Sequence, residues 1–450
     1  MKKGKNRTKK VRCQKDDWCR NLRGAYSNEK NKRKYRKNET WKPWGCTHTH
    51  TSSFNEQIKN EVAITLVALV VTIIVLILLA GVSISLVIGN NGIMQKAAKG
   101  REDYTGATIN EQQDLNKIED YIEDNTSNKS EVEKYRKSGK YFESPTTIKD
   151  ENENEIKIPQ GFKIAQDSGL NVTEGIVIED NDIKEGIGNN RGNQYVWVPV
   201  GNGIKKSDGT TVNITLGRYT FASDGTPTLK QDAVNYIQEV AINTYWKELA
   251  TSRTGVASDG LDGLNTTAVN LKGFVDSVKA NGGYYIARYE ASYGTDGKAN
   301  SKISNTALDS IPDKEGQLWN YISQINAATA SRNLYNTVNS DLINSYAWDT
   351  AIVYIQNFSG DTDYSRQTPL NTSLANTGVN SDEKCKINDM ASNTREWTTE
   401  YCTYTSSSNA SPCALRGGNY YEGSSYTDSR SSGNAAYSNG SISFRSALYM

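Results

Sequence analysis

The sequence predicts an α+β protein in which one long N-terminal helix precedes a β-rich outer region. Three observations carry this expectation. An apolar run, VAITLVALVVTIIVLILLAGVSISLVIGNNG, extends from Val62 to Gly92, with no charged side chain between Glu61 and Lys96. Beyond it, Leu115, Ile118 and Ile122 repeat at helical spacing among the polar stretches NEQQ and NKIED. From about Tyr141 the texture changes to short runs of alternating apolar and polar residues between Gly, Asn and Asp clusters, which is the pattern of antiparallel strands. The expected organisation of the 450 residues is a basic tail or leader (1–63), a transmembrane and stalk helix (64–125), a linker with short strands (126–190) and a main domain (191–450).

The net charge of +1 hides an asymmetry, because residues 1–62 hold 18 Lys and Arg against 6 Asp and Glu, leaving −11 for the rest. Lys and Arg resist translocation, so a basic flank before an apolar helix predicts a membrane-anchored chain with a cytoplasmic N-terminus and residues 93–450 extracellular. The run KNKRKYRK (Lys30–Lys37) reads as solvated charge, and no nucleic-acid partner is inferred from it. Cys13, Cys19, Cys46, His48 and His50 offer soft ligands, but their spacing fits no common zinc pattern, and no metal site is assigned.

The segment AITLVALVVTIIVLILLAGVSI resembles the N-terminus of prepilin-like proteins of Gram-positive bacteria. The resemblance implies cleavage between Ala63 and Ile64, and membrane, pilus or pseudopilus subunits as partners. The sequence departs from that family at two points: Ala63 stands where Gly is usual, and Ala68 stands where the fifth mature residue is often Glu. An uncut signal anchor is the plainer alternative, since the apolar run by itself demands only a membrane helix. A linker-like stretch, EDNTSNKS (Glu123–Ser130), then ends the stalk.

In the outer region, NEIKIPQGFKIAQDSG and TEGIVIEDND predict short strands, as do YVWVPVG (Tyr195–Gly201) and GGYYIARYEASYG (Gly282–Gly294). DAVNYIQEVAINTYWKELA and NSYAWDTAIVYIQNF predict helices. YVWVPVG, YYIARYEAS, NDMASNTREWTTE (Asn388–Glu400), LRGGNYY (Leu415–Tyr421) and ISFRSAL (Ile442–Leu448) together, and in this order, resemble the formylglycine-generating enzyme and sulfatase-modifying factor family. The fold this implies is a variant of the C-type lectin fold over residues 191–450.

The family's oxidases use a cysteine pair shortly after the Gly-Gly of the RGG motif to hold copper, and here those positions fall at Glu422 and Thr427. No cysteine follows Cys413, so the copper-thiol chemistry of that pair is lost, and no histidine follows His50, which removes Cys-His and Ser-His-Asp arrangements from the outer region. The expectation is a non-enzymatic member, with no catalytic residues and no cofactor, in which Arg416, Glu396, Trp397 and Arg445 hold the fold by ion pairing and burial. A hydrolase built on two carboxylates such as Asp389 and Glu396 is the weaker alternative. An anchored extracellular enzyme of the family with altered chemistry, or a structural minor pilin, also stays open.

Between Arg416 and Met450, nine Ser, five Tyr, five Gly and three Asn make up 22 of 35 residues. Tyr supplies rigid amphipathic contact area and Ser, Gly and Asn supply adaptable hydrogen bonding, the mixture used by antibody loops. The composition resembles lectin-fold proteins diversified by retroelements, which place their variable residues after a similar RGG. The expected binding surface is Asn419, Tyr420, Tyr421, Glu422, Ser424, Ser425, Tyr426, Asp428, Tyr437 and Asn439, displayed to an external protein or glycan ligand. Cys402 and Cys413 bracket TYTSSSNASP, and a disulfide between them is expected in an external domain, with Cys385 left over or competing.

Overall fold

The structure is a computed structural model that describes residues 61–88, 93–126, 129–233, 246–248, 266–379, 382–402, 405–406 and 409–450. The basic tail, with its cysteines and histidines, lies outside the described residues. The chain divides into two compact units, Met1–Gly106 and Ala107–Met450.

A single long helix over 64–125 is not shown: the described residues form α1 (Glu61–Ile88) and α2 (Ile93–Thr126), and residues 89–92 lie outside the described residues. Ala63 and Ile64 fall in the first turns of α1, and their side chains are outside the described residues. Among the described residues no helix is long and apolar enough to cross a membrane. The expectations of a membrane-spanning stalk and of a membrane-anchored, outward-facing placement are corrected accordingly. The fold class is corrected with them: the described chain holds six α-helices, and most of its elements are short strands.

In the second unit, a third helix, α3 (Glu131–Ser138), follows the stretch read as linker. Ser130 caps it by accepting the N–H of Glu133 at 3.2 Å, and Gly139 closes it in the left-handed conformation. The strands Glu155–Ile158, Lys163–Ile164, Val177–Glu179, Gln194–Pro199 and Gly283–Ala287 form within the stretches expected to be strands. The chain 246–248, expected to end a helix, instead contributes the edge strand Trp246–Lys247 against Tyr401 and Cys402. Residues 234–245 of that expected helix lie outside the described residues.

Two sheets organise the unit. The larger is antiparallel throughout, in the order Asn339–Leu342, Ser446–Tyr449, Gly283–Ala287, Gln194–Pro199, Val177–Glu179, Lys163–Ile164. The second runs Trp246–Lys247, Arg395–Cys402, Cys413–Arg416, Arg430–Gly433, with Ile442–Phe444 lying parallel to Arg395–Cys402. The chain passes from Ile442–Phe444 in the second sheet to Ser446–Tyr449 in the first, with Arg445 at the crossing point.

Burial explains the strand composition. Tyr195, Val196, Trp197 and Val198 are all buried, and Trp197 packs on Tyr285 of the neighbouring strand with ring centroids 5.0 Å apart. A strand covered on both faces reads as a continuous apolar run rather than an alternating one. Helix α6 (Ser345–Phe358) is capped by Asn344, whose side chain accepts the N–H of Ala347, and it is buried nearly all round. A helix enclosed on all sides places its polar residues inside the protein, and Asp349 is therefore at the centre of the fold.

A candidate recognition loop on a buried ionic frame

Five charged groups sit together where α6 meets the second sheet, four of them without solvent contact and Arg430 nearly so. Arg416 reaches Asp349 at 2.5 Å and Glu400 at 3.3 Å, Arg218 reaches Glu400 at 2.5 Å, and Arg430 reaches Asp349 at 2.6 Å and Glu400 at 3.0 Å. Burial by itself would protonate Glu400, but Arg430, Arg218 and Arg416 together hold its carboxyl well below the ordinary range. The frame matters for the loop because Arg416 and Arg430 lie on paired strands at the two ends of residues 417–429.

The Gly-Gly after Arg416 has a steric reason. Gly417 has φ +80, and a Cβ on it would lie 2.5 Å from the carbonyl oxygen of Met390; one on Gly418 would lie 2.2 Å from that of Ala391. The chain leaves the ionic frame by passing directly over the Asp-Met-Ala backbone, which only glycine permits.

From there the loop is built by its own polar side chains. The Asn419 side-chain oxygen accepts the N–H groups of Tyr421 at 2.9 Å and Glu422 at 2.7 Å, and the N–H of Tyr420 bonds to Asn393 O at 2.9 Å. Arg395 pairs with Glu422 at 2.5 Å and donates to the Ser425 hydroxyl at 2.8 Å. Thr427 donates to Tyr364 O at 2.8 Å, and its own carbonyl accepts the indole N–H of Trp348 at 3.2 Å. Arg366 pairs with Asp428 at 3.3 Å and lies over the Tyr426 ring, 3.9 Å from its centroid.

The ten expected surface residues therefore separate. Tyr421, at 80% exposure, and Tyr437, at 48%, stand out with Glu422 and Ser424. Tyr420, Tyr426, Asp428 and Asn439 are half-buried. Asn419 and Ser425 are buried, which corrects their expected exposure, since each spends its polar atoms inside the loop. Tyr321 and Asp309, from distant parts of the chain, adjoin the same face: the Tyr321 hydroxyl donates to Asp309 at 2.7 Å, and its N–H donates to Asn439 O at 3.1 Å. No local sequence signal marks either, because only the tertiary fold brings residues 305–321 to the 437–441 turn.

The expected Cys402–Cys413 disulfide is not formed; both are buried thiols. The ladder opposes Cys413 to Tyr401, and successive residues of a strand point to opposite faces, so Cys402 projects away from Cys413. Cys385 is also a buried thiol, and desolvation pushes it up to about 12.

A second buried centre surrounds Arg445. Its Nε donates to Glu396 at 2.6 Å, its Nη2 binds both Glu396 and Asn388 O, and its Nη1 donates to Ala287 O at 3.2 Å, so one guanidinium ties both sheets together. Glu290 beside it accepts from Asn393 and from the backbone and hydroxyl of Thr394. Burial, with the nearby Asp389 and Glu396, pushes the Glu290 pKa well above the carboxylate range. These carboxyl groups have no solvent-accessible surface, and their visible contacts are structural. Among the described residues no group of three or more His, Cys, Asp or Glu is arranged to hold a metal.

No family model and no curated protein matches the chain. Among solved structures it is similar to CarF, with a TM-score of 0.28 and 15% identity over 37% of this chain and 87% of that one. It is similar to PvdO from Pseudomonas aeruginosa, with a TM-score of 0.26 and 11% identity over 38% of this chain and 82% of that one. It is also similar to the U1 variant of Major Tropism Determinant, with a TM-score of 0.27 and 13% identity over 68% of this chain and 81% of that one. TM-scores this low assign neither fold nor function.

Proposed function

We propose that residues 131–450 form a non-catalytic, ligand-binding domain of lectin-like fold that presents its 419–441 loops as the recognition surface. The observation that carries this reading is the contrast within a short stretch of chain. Arg416 and Arg430 are locked into a largely buried ionic frame, while Tyr421 between them is 80% exposed. A large ring in water beside a rigid frame is available for contact, and recognition residues are commonly carried on loops held by a rigid scaffold. Altered enzyme chemistry is less well supported, since the perturbed carboxylates Glu290 and Glu396 are fully enclosed and engaged by Asn393, Thr394 and Arg445.

The test is an array of immobilised glycans and peptides probed with the full chain and with the double variant Tyr421→Ala/Tyr437→Ala. The variant is expected to lose every signal given by the wild-type chain, since anchor tyrosines cost about 2 kcal/mol or more each when truncated. Its melting temperature should stay within about 2 °C, because substitution of exposed residues costs about 0.5 kcal/mol or less. Wild-type signals that survive in a folded variant place the ligand site elsewhere and defeat the proposal.

A further inference from the structure

Three of the polar side chains that a tyrosine-rich loop would offer to a sugar are already spent on the loop. Asn419 caps the turn at Tyr421 and Glu422, Asn439 accepts from the backbone and hydroxyl of Ser441, and Ser425 is engaged by Arg395. The acidic groups are spent as well, with one exception. Glu422 is paired with Arg395 and Asp428 with Arg366, but among the described residues Asp309 has no Lys or Arg partner. Asp309 is exposed, and the protein bond to its carboxylate is the one donated by Tyr321 at 2.7 Å.

Tyrosine rings gather around that carboxylate from three parts of the chain. Tyr321 touches it directly. Tyr420, whose phenol pKa is raised by partial burial and then by Asp309 and Tyr421, lies within its field. Tyr437 adjoins through Asn439, whose amide donates to the Tyr437 hydroxyl at 3.3 Å and whose carbonyl accepts the N–H of Tyr321. Gly440 permits the approach, because a Cβ there would lie 2.4 Å from the Asp309 carboxylate and 3.0 Å from the Tyr321 ring.

An open carboxylate beside tyrosine side chains attracts one kind of group, since aromatic rings and carboxylate both favour a positive charge. We propose that this face recognises the lysine or arginine side chain of a polypeptide partner, seated against Asp309 and the rings of Tyr321, Tyr420 and Tyr437. The proposal rests on the reading of the 419–441 loops as a recognition surface.

The test is titration of the full chain with the peptide Ac-Gly-Ser-Gly-Lys-Gly-Ser-Gly-Lys-Gly-NH2 and with counterparts carrying norleucine or glutamate in place of lysine. The lysine peptide is expected to bind at least about tenfold more tightly than either counterpart, and more weakly as salt is added. Asp309→Asn keeps an acceptor for Tyr321 and should weaken lysine-peptide binding by about tenfold at an unchanged melting temperature. Equal binding of the three peptides, absence of lysine-peptide binding, or binding unaffected by Asp309→Asn overturns the proposal. Lysine-peptide binding that depends on Asp309 but survives Tyr421→Ala/Tyr437→Ala overturns the loop reading together with it. Array ligands lost in the tyrosine variant yet held by Asp309→Asn overturn the cation proposal alone.

Discussion

Glu400→Gln is expected to destabilise the protein by about 3–5 kcal/mol, the cost of leaving buried charge without its counter-charge. Gln has nearly the shape of Glu, so packing is preserved and the charge alone is removed. Three guanidiniums, those of Arg218, Arg416 and Arg430, converge on Glu400, and all three are almost or entirely out of solvent. Without Glu400, Asp349 becomes the one carboxylate of this five-membered frame facing three positive charges. The comparison variant is Glu422→Gln, which removes the partner of Arg395 from an ion pair whose carboxylate is half in water. Exposed pairs contribute about 0–1 kcal/mol, so the two substitutions, both acting on Glu–Arg pairs next to the same loop, should separate widely. Urea unfolding followed by tryptophan fluorescence measures both, and Trp348, with the Arg416 guanidinium 5.6 Å from its ring, reports on the frame itself. A shift below about 1 kcal/mol for Glu400→Gln would mean that water enters the frame and screens it.

Much of the strand framework was legible because burial and backbone geometry leave a local trace. YVWVPVG announced a strand through its β-branched and aromatic run, and NSYAWDTAIVYIQNF announced α6 through length, apolar content and the Asn344 cap. Helix α3 was readable too: Ser130-Glu131-Val132-Glu133 has the spacing of a capping box, but it was absorbed into a stretch judged only by its polarity.

The site was legible only in part. Composition located the tyrosines, but it could not tell Tyr421, which stands in water, from Tyr426, which lies under Arg366. It also assigned Asn419 and Ser425 to a ligand when they serve the loop's own backbone and Arg395. Short polar side chains in a turn-rich segment compete for nearby N–H groups before any ligand does. Asp309 and Tyr321 left no signal at all, because a solvent-facing acid and a tyrosine from separate loops acquire meaning only from their meeting.

Arg445 gives the second large effect, and its pH dependence has a definite sign. Arg445→Met should cost about 3–5 kcal/mol at pH 8, because Glu396 loses its counter-charge while remaining fully buried. Burial already raises the Glu396 pKa, with Arg445 opposing that rise, and Glu290 beside it is raised further by burial and by Asp389 and Glu396. Removing the guanidinium takes away the opposing influence on Glu396 and raises both groups more. A carboxyl whose pKa is higher in the folded than in the unfolded chain makes the folded state hold its proton more tightly. Its favourable contribution is fully present below the unfolded value of about 4.5 and is lost as pH rises through the folded value. The variant should therefore be least impaired near pH 5, where protonation relieves the stranded charge, and should weaken steadily toward pH 8. The wild-type chain, with Arg445 in place, should show a shallower slope over the same interval. Urea midpoints at several pH values in that range measure the difference, and parallel slopes for the two proteins would show that Glu396 finds another counter-charge when Arg445 is gone.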